Sequence, residues 1–307
     1  MPARSTTASS APTAGTAKNK EMTVVESVHS DGHSLFNNLP LMGKVSRSDG
    51  WGGLMNNYKI TIQYDGTAYK GWQVQNSTRD TIQGKLEHIL TKLAGKPVDI
   101  DGSGRTDAGV HAVGQVASFH MDLPKGMSDA DLLQHINKHL PEDIAVVALE
   151  RVDDRFHARY SEKGKTYRYR IQVSPMSQVF DKRYVYTYLD KPLDVNLMRQ
   201  AAGLMVGRHD FKSFCGNKHM KKSTVRTVKS ININEIRDEH GLREIQIDYT
   251  GDGFLQNMIR IMTGTLIEIG TGRRPVEDVT AILAALDRDK AGYTVPPQGL
   301  CLMEVYY

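Results

Sequence analysis

Cysteine is scarce: Cys215 and Cys301 are the only two in 307 residues, and neither stands in a CxxC or a paired Cys/His spacing. A disulfide framework and a structural zinc site are thereby disfavoured, and a reducing compartment fits. His111 and His209 lie in no HxxxH pattern, so no metal is expected. No apolar run approaches the roughly 18 residues of a membrane span. Nothing near the start supplies the continuous apolar core of a secretory signal; an organellar presequence stays as the alternative, since nothing acidic precedes Glu21, although Arg is sparse and no amphipathic helix is evident there. A cytoplasmic protein is the expectation. Charge of one sign is not in large excess either: 39 Lys plus Arg face 35 Asp plus Glu. A mixed, solvated surface explains that net +4 as well as a nucleic-acid partner does, so RNA binding must be argued from local clusters.

What is present divides unevenly. Residues 1–57 open on Ser, Thr, Ala and Pro and show no sustained apolar periodicity, the composition of a disordered tail. From Tyr58, Ile60, Ile62 and Tyr64 alternate with polar residues as in a half-buried strand and meet the turn residues Asp65-Gly66. Asp80 can cap a helix striped by Ile82, Leu86, Ile89, Leu90 and Leu93 that ends near Gly95, and Ser128 another that Pro141 stops. Strands are expected over 115–121 and 145–152. Further on, Tyr167, Tyr169, Ile171 and Val173 alternate with Arg168, Arg170 and Gln172, a strand with one apolar and one basic face. A helix over 197–205, strands over 225–233 and 245–249, apolar helical stripes over 255–269 and 279–286, and a strand over 301–306 complete the pattern.

Half-polar strands suit a sheet covered on one face, which favours α+β over a doubly wound parallel sheet. The expectation is two lobes, 58–160 and 161–307. A short echo between Ile60–Tyr69 and Ile245–Phe254, each strand, turn and aromatic, is what two similar lobes would leave.

The densest cluster of chemistry is Asp101-Gly-Ser-Gly-Arg-Thr-Asp-Ala-Gly-Val-His111. It is not a dinucleotide loop, because Asp107 occupies the third glycine position of GxGxxG and would repel a pyrophosphate. Taken alone, a Gly-Asp loop is most often a turn whose carboxylate satisfies backbone donors.

Its company argues otherwise. Arg105-Thr-Asp107-Ala-Gly-Val-His111 resembles the catalytic loop of the TruA family of tRNA pseudouridine synthases. Tyr64-Asp-Gly-Thr-Ala-Tyr-Lys-Gly-Trp-Gln73, Thr81-Ile-Gln83, Leu140-Pro-Glu-Asp-Ile144, Phe156-His-Ala-Arg159, Lys165-Thr-Tyr-Arg-Tyr169, His209-Asp-Phe211 and 254–264 resemble that family's blocks in its order. The series spans essentially Tyr58 to Tyr306. It departs at Thr294-Val-Pro-Pro-Gln-Gly-Leu300, which is bulkier than the family's small-residue run.

The resemblance implies two related α+β lobes on one extended antiparallel sheet with helices on one face, and an active site in the cleft between them. It implies a reaction needing no cofactor: the uridine N-glycosidic bond breaks, the base turns, and C5 joins the sugar. By it Asp107 is the catalytic carboxylate, a residue type compatible with attack on C6, attack on C1′, or removal of a sugar proton. Arg260 is the cation that keeps that carboxylate ionised, and Tyr167 the tyrosine that stacks on the displaced uracil near its C5 proton. Arg105 helps hold the target nucleotide out of the helical stack. The family works as a homodimer on the tRNA anticodon arm, at positions 38, 39 and 40. Further RNA contacts are expected from Arg168 and Arg170 on their polar strand face, and from Lys221, Lys222 and Arg226 in a basic run. The alternatives are a non-catalytic RNA-binding or remodelling protein on the same scaffold, against which Asp107, Tyr167 and Arg260 all speak, and a synthase for other tRNA positions. A glycoside hydrolase using Asp107 is a remoter alternative, whose second acid the sequence does not identify.

Overall fold

The structure, a computed structural model, describes residues 55–176, 179–237 and 243–307. Most of the expected tail therefore lies outside the described residues. Its proposed end at residue 57 is slightly too late, since β1 spans Asn56–Tyr64. Asn57 is buried there because its amide donates 2.9 Å hydrogen bonds to the carbonyls of Asp153 and Phe156.

Along β1, Tyr58, Ile60, Ile62 and Tyr64 are all buried, as period-2 alternation requires. Helix α1 (Ile82–Ala94) is capped by Thr81, whose hydroxyl accepts from the Gly84 N–H at 3.1 Å. The expected cap Asp80 instead pairs with Lys85 at 2.8 Å. Strands β2 (Asp101–Gly102) and β3 (His111–Met121) follow. Helix α2 (Asp129–His139) begins with a capping box between Ser128 and Asp131. After it come β4 (Ile144–Val152), β5 (Gly164–Val173), β6 (Tyr186–Tyr188), α3 (Val195–Met205), β7 (Gly207–Asp210), β8 (Val225–Arg237) and β9 (Arg243–Gly251). Helices α4 (Met258–Gly270) and α5 (Asp278–Ala285) and strand β10 (Leu300–Tyr306) close the chain.

The fold is α+β, built on one large sheet in the order β4-β1-β3-β10-β5-β9-β8-β7, with β2 beside β3 and β6 beside β5. The expectation of an antiparallel sheet needs correction: the sheet is mixed. β10 pairs with β3 in parallel through Cys301 opposite His111 and Leu302 opposite Ala112, and β6 pairs with β5 in parallel. On either side of the β3–β10 junction the main ladders are antiparallel. Strand order repeats across it. Chain order β1, β2, β3, β4 becomes sheet order β4-β1-β3-β2, and β5, β8, β9, β10 becomes β10-β5-β9-β8. By that correspondence β1 matches β5 and β9 matches β3, so the echo of Ile60–Tyr69 in Ile245–Phe254 joins strands that are not equivalent.

Directly paired residues share a face, so Tyr64, Ala112, Leu302, Tyr167 and Tyr249 form one row across the junction. That face carries the helices. Tyr58 of β1 hydrogen-bonds Asp129 of α2 at 3.1 Å, and Tyr249 bonds Thr263 of α4 at 2.8 Å. Each large side chain buried between sheet and helices stabilises the fold by about 1.5–3 kcal/mol.

Candidate active site

Asp107 sits on the loop between β2 and β3, at the helix-covered side of the sheet junction. The loop is fixed from below by the 64–73 block. Tyr64 and Thr106 share a 2.8 Å hydroxyl hydrogen bond, and the Trp72 N–H donates to the Thr106 carbonyl at 3.1 Å. The approach is too close for side chains: a Cβ at Gly66 would stand 2.0 Å from the Val110 carbonyl oxygen, and one at Gly71 2.7 Å from that of Thr106. Both glycines are therefore required by the loop they support.

About a third of the Asp107 side chain is exposed, while Arg260 of α4, 15 % exposed, brings Nη1 to 3.9 Å from its Oδ2. Arg260 is itself held: Nε donates to the Val295 carbonyl at 2.8 Å and Nη1 to Asn257 Oδ1 at 2.7 Å. The segment that departs from the family's small-residue run thus anchors the arginine. It also receives the Tyr169 hydroxyl on the Pro296 carbonyl at 2.7 Å. Burial pushes the Asp107 carboxyl above its ordinary value, against the pull of the Arg260 charge and the Asn257 backbone N–H. Burial likewise pushes Arg260 down, with Asp107 opposing.

Tyr167 of β5 lines the same small cavity of about 80 Å³ as Asp107, Arg105 and Lys165. Its ring meets Phe254 edge-on, centroids 5.5 Å apart. Burial, then the charges of neighbouring groups including Asp107, push its phenol far above the ordinary value, so it stays protonated. Tyr169, on the same strand face, is a core residue at 0 % exposure.

The cavity opens into a cleft of about 830 Å³ whose lining includes Arg105, Arg159, Lys165, Lys221, Lys222 and Arg226. The structure thus places Asp107, Tyr167 and Arg105 on the small cavity, while Arg260 reaches Asp107 from an adjoining pocket that Asp107 and Arg105 also line, and Lys221, Lys222 and Arg226 stand on the cleft wall. It does not bring Arg168 and Arg170 there. One position out of phase with Tyr167, they project from the other sheet face, where each grips a carboxylate of β9: Arg168 holds Asp248 at 2.7 and 2.9 Å, Arg170 holds Glu244 at 2.7 and 2.8 Å. Three residues of the site are missed by sequence reasoning. Lys165, buried, pairs with Glu162 on the cleft wall. Tyr160 at the mouth is 78 % exposed and packs on His157 with ring centroids 4.4 Å apart. Asn257, the third, starts α4.

A basic cleft ending in a small pocket, with a half-buried carboxylate beside a largely buried arginine, suits a nucleotide of a larger nucleic acid. The chain belongs to the tRNA pseudouridine synthase family: the family's model matches residues 60–161 and 201–307. It is 45 % identical over 239 residues to tRNA pseudouridine synthase A of Bacillus sp. (strain KSM-64), covering 78 % of this chain and 95 % of that protein. It is 43 % identical over 258 residues to tRNA pseudouridine synthase A of Limosilactobacillus reuteri (strain DSM 20016), covering 82 % and 97 %. With tRNA pseudouridine synthase A 2 of Bacillus anthracis it shares 42 % identity over 253 residues, covering 82 % of this chain and 100 % of that protein. The activity is isomerisation of uridine to pseudouridine in tRNA.

Since the family match starts at residue 60 and β1 at Asn56, a chain beginning at Met55 is expected to keep the melting temperature and turnover of the full chain. Thermal melts and a turnover assay of the two chains check this; a large drop in either would show that residues 1–54 contribute.

Proposed function

We propose that Asp107 is the catalytic carboxylate and that the enzyme modifies uridines 38, 39 and 40 in the anticodon arm of tRNA as a homodimer. The observation that carries the catalytic part is the half-buried Asp107 facing the Arg260 guanidinium at the end of a basic cleft. Reaction there breaks the bond from N1 to the sugar, forms one from C5, and releases the C5 proton last. An ionised carboxylate serves it as nucleophile or as counter-charge to the sugar cation. Tyr167, protonated and on the same cavity wall, is the surface on which the freed uracil stacks. The anticodon arm and the homodimer are supported by the ordered blocks shared with the TruA family. That the two sheet halves are related lobes is supported by their common strand order. A base paired in a stem must leave its stack to reach so small a pocket, which gives Arg105 at the cavity mouth its role.

Phosphate contact falls to the cleft lysines and Arg226. Replacing both Lys221 and Lys222 by Ala is expected to weaken tRNA binding at every salt concentration. The log–log salt dependence should flatten by roughly 1–2. Arg168→Gln, on the far face and paired with Asp248, is expected to leave both quantities unchanged. Filter binding across a salt series decides it: equal losses in the two variants would put the RNA on the wrong face.

A further inference from the structure

Among the described residues, only Asn257 and Leu286 adopt positive φ without being glycine. Asn257, at φ 58° and ψ 6°, is the residue from which α4 starts. Left-handed backbone is unfavourable for a residue with a Cβ, and where it persists the surroundings hold it. An Asn at a helix start ordinarily spends its side-chain oxygen on the first N–H groups of its own helix. This one makes no such bond. Its Oδ1 accepts from Arg260 Nη1 at 2.7 Å, while its backbone N–H faces the Asp107 carboxylate. One residue therefore turns its main-chain N–H toward the acid and holds the cation with its side chain.

The other end of the same amide is walled by the 215–222 segment that carries Lys221 and Lys222. Gly216 donates its N–H to the Gln256 carbonyl at 2.8 Å, and a Cβ on Gly216 would stand 2.6 Å from Asn257 Nδ2. The amide is thus fixed between a glycine and the guanidinium, with little room to turn.

We propose that Asn257 is a positioning residue for the isomerisation: its left-handed turn and its amide together set the distance between Arg260 and Asp107. The inference rests on the reading of Asp107 as the catalytic carboxylate. Arg260 from α4, Arg105 from its own loop, Lys70 from the 64–73 block, Tyr167 from β5, and Lys165 with its partner Glu162 on the cleft wall are, among the described residues, the charged or titratable groups facing that carboxylate. Of these Arg260 exerts the pull that favours the ionised form. Freed from Asn257, Arg260 loses half of its fixation and the pull weakens.

Asn257→Gly tests this cleanly, since glycine keeps the turn and the N–H and removes only the amide. The variant is expected to melt where the wild type does and to bind tRNA equally well. Its single-turnover rate at neutral pH should fall about 10- to 100-fold, the worth of one hydrogen bond to a charged group. The acid limb of its pH–rate profile should move to higher pH, because a weaker cation leaves Asp107 protonated over a wider range. Gly216→Ala, which leaves Asn257 itself intact but displaces its amide, should shift rate and limb in the same direction by less. A wild-type rate in Asn257→Gly, or a lowered rate with an unmoved acid limb, would overturn the inference. Asp107→Asn measured alongside separates the two readings: activity there removes the catalytic assignment and the inference with it, whereas an inactive Asp107→Asn beside an unaffected Asn257→Gly removes the inference alone.

Discussion

Replacing Asp107 with Asn is expected to abolish pseudouridine formation while leaving tRNA binding intact. The amide has nearly the carboxylate's size, and Arg260 keeps its bonds to Val295 and Asn257, so the fold should hold. What disappears is the negative charge. An amide is a poor nucleophile and offers nothing to a developing sugar cation, so the loss should exceed the roughly 10²- to 10⁴-fold typical of a positioned acid or base. Phosphate contacts supply most of the affinity for RNA, and removing an anion from the cleft removes a repulsion. Single-turnover conversion measured beside tRNA binding at one salt concentration gives the answer. Retention of a tenth of the rate, about 1.4 kcal/mol of barrier, would exclude Asp107 as the catalytic carboxylate.

Removing the charge opposite should also be severe, but in a pH-dependent way. In Arg260→Met, burial would still push the Asp107 carboxyl up, and the guanidinium that opposes this would be gone. The form that works is the ionised one, which predominates above the carboxyl's pKa. Raising that pKa therefore moves the acid limb of the pH–rate profile upward. At neutral pH the rate should fall on the order of 10²-fold or more, and alkaline pH should recover part of it. Arg260→Lys keeps a charge but not the fork that reaches Val295 and Asn257, so its limb should move less while its rate still drops. An acid limb fixed at the wild-type position in Arg260→Met would mean that the pair in the structure does not govern ionisation of the catalytic group. The uncapped Val295 carbonyl would cost stability as well, about 1–3 kcal/mol, and a melting curve should accompany the profile.

Local periodicity made most of the elements legible. The alternation from Tyr58 to Tyr64, the stripe from Ile82 to Leu93 and the stop at Pro141 are each properties of a short window, and each reappears as β1, α1 and the end of α2. Strand order is not such a property. The parallel seam between β3 and β10 joins residues almost two hundred positions apart, and nothing near His111 or Cys301 announces it. The two-residue β2 and three-residue β6 are too short to carry a period.

The site was legible where residue types are distinctive and ambiguous where only phase decides. Asp107, Tyr167 and Arg260 stood out through ordered blocks. The basic face of β5 suggests RNA contact for Arg168 and Arg170 alongside the cleft lysines, although strand alternation already places them opposite Tyr167. The same parity puts Lys165 on the apolar face with Tyr167 and Tyr169, and a charged residue in that phase is the mark of a buried ion pair. Asn257 left a fainter trace: Asn is enriched among non-glycine residues in left-handed backbone, and this one directly precedes the first residue of α4.

The most direct test is to incubate unmodified tRNA with the purified enzyme and map pseudouridine along the whole molecule, with Asp107→Asn as the parallel sample. Pseudouridine at positions 38, 39 and 40 with the wild type, and none with the variant, is the predicted result. Pseudouridine only outside the anticodon arm, or equal conversion by the two proteins, would contradict it.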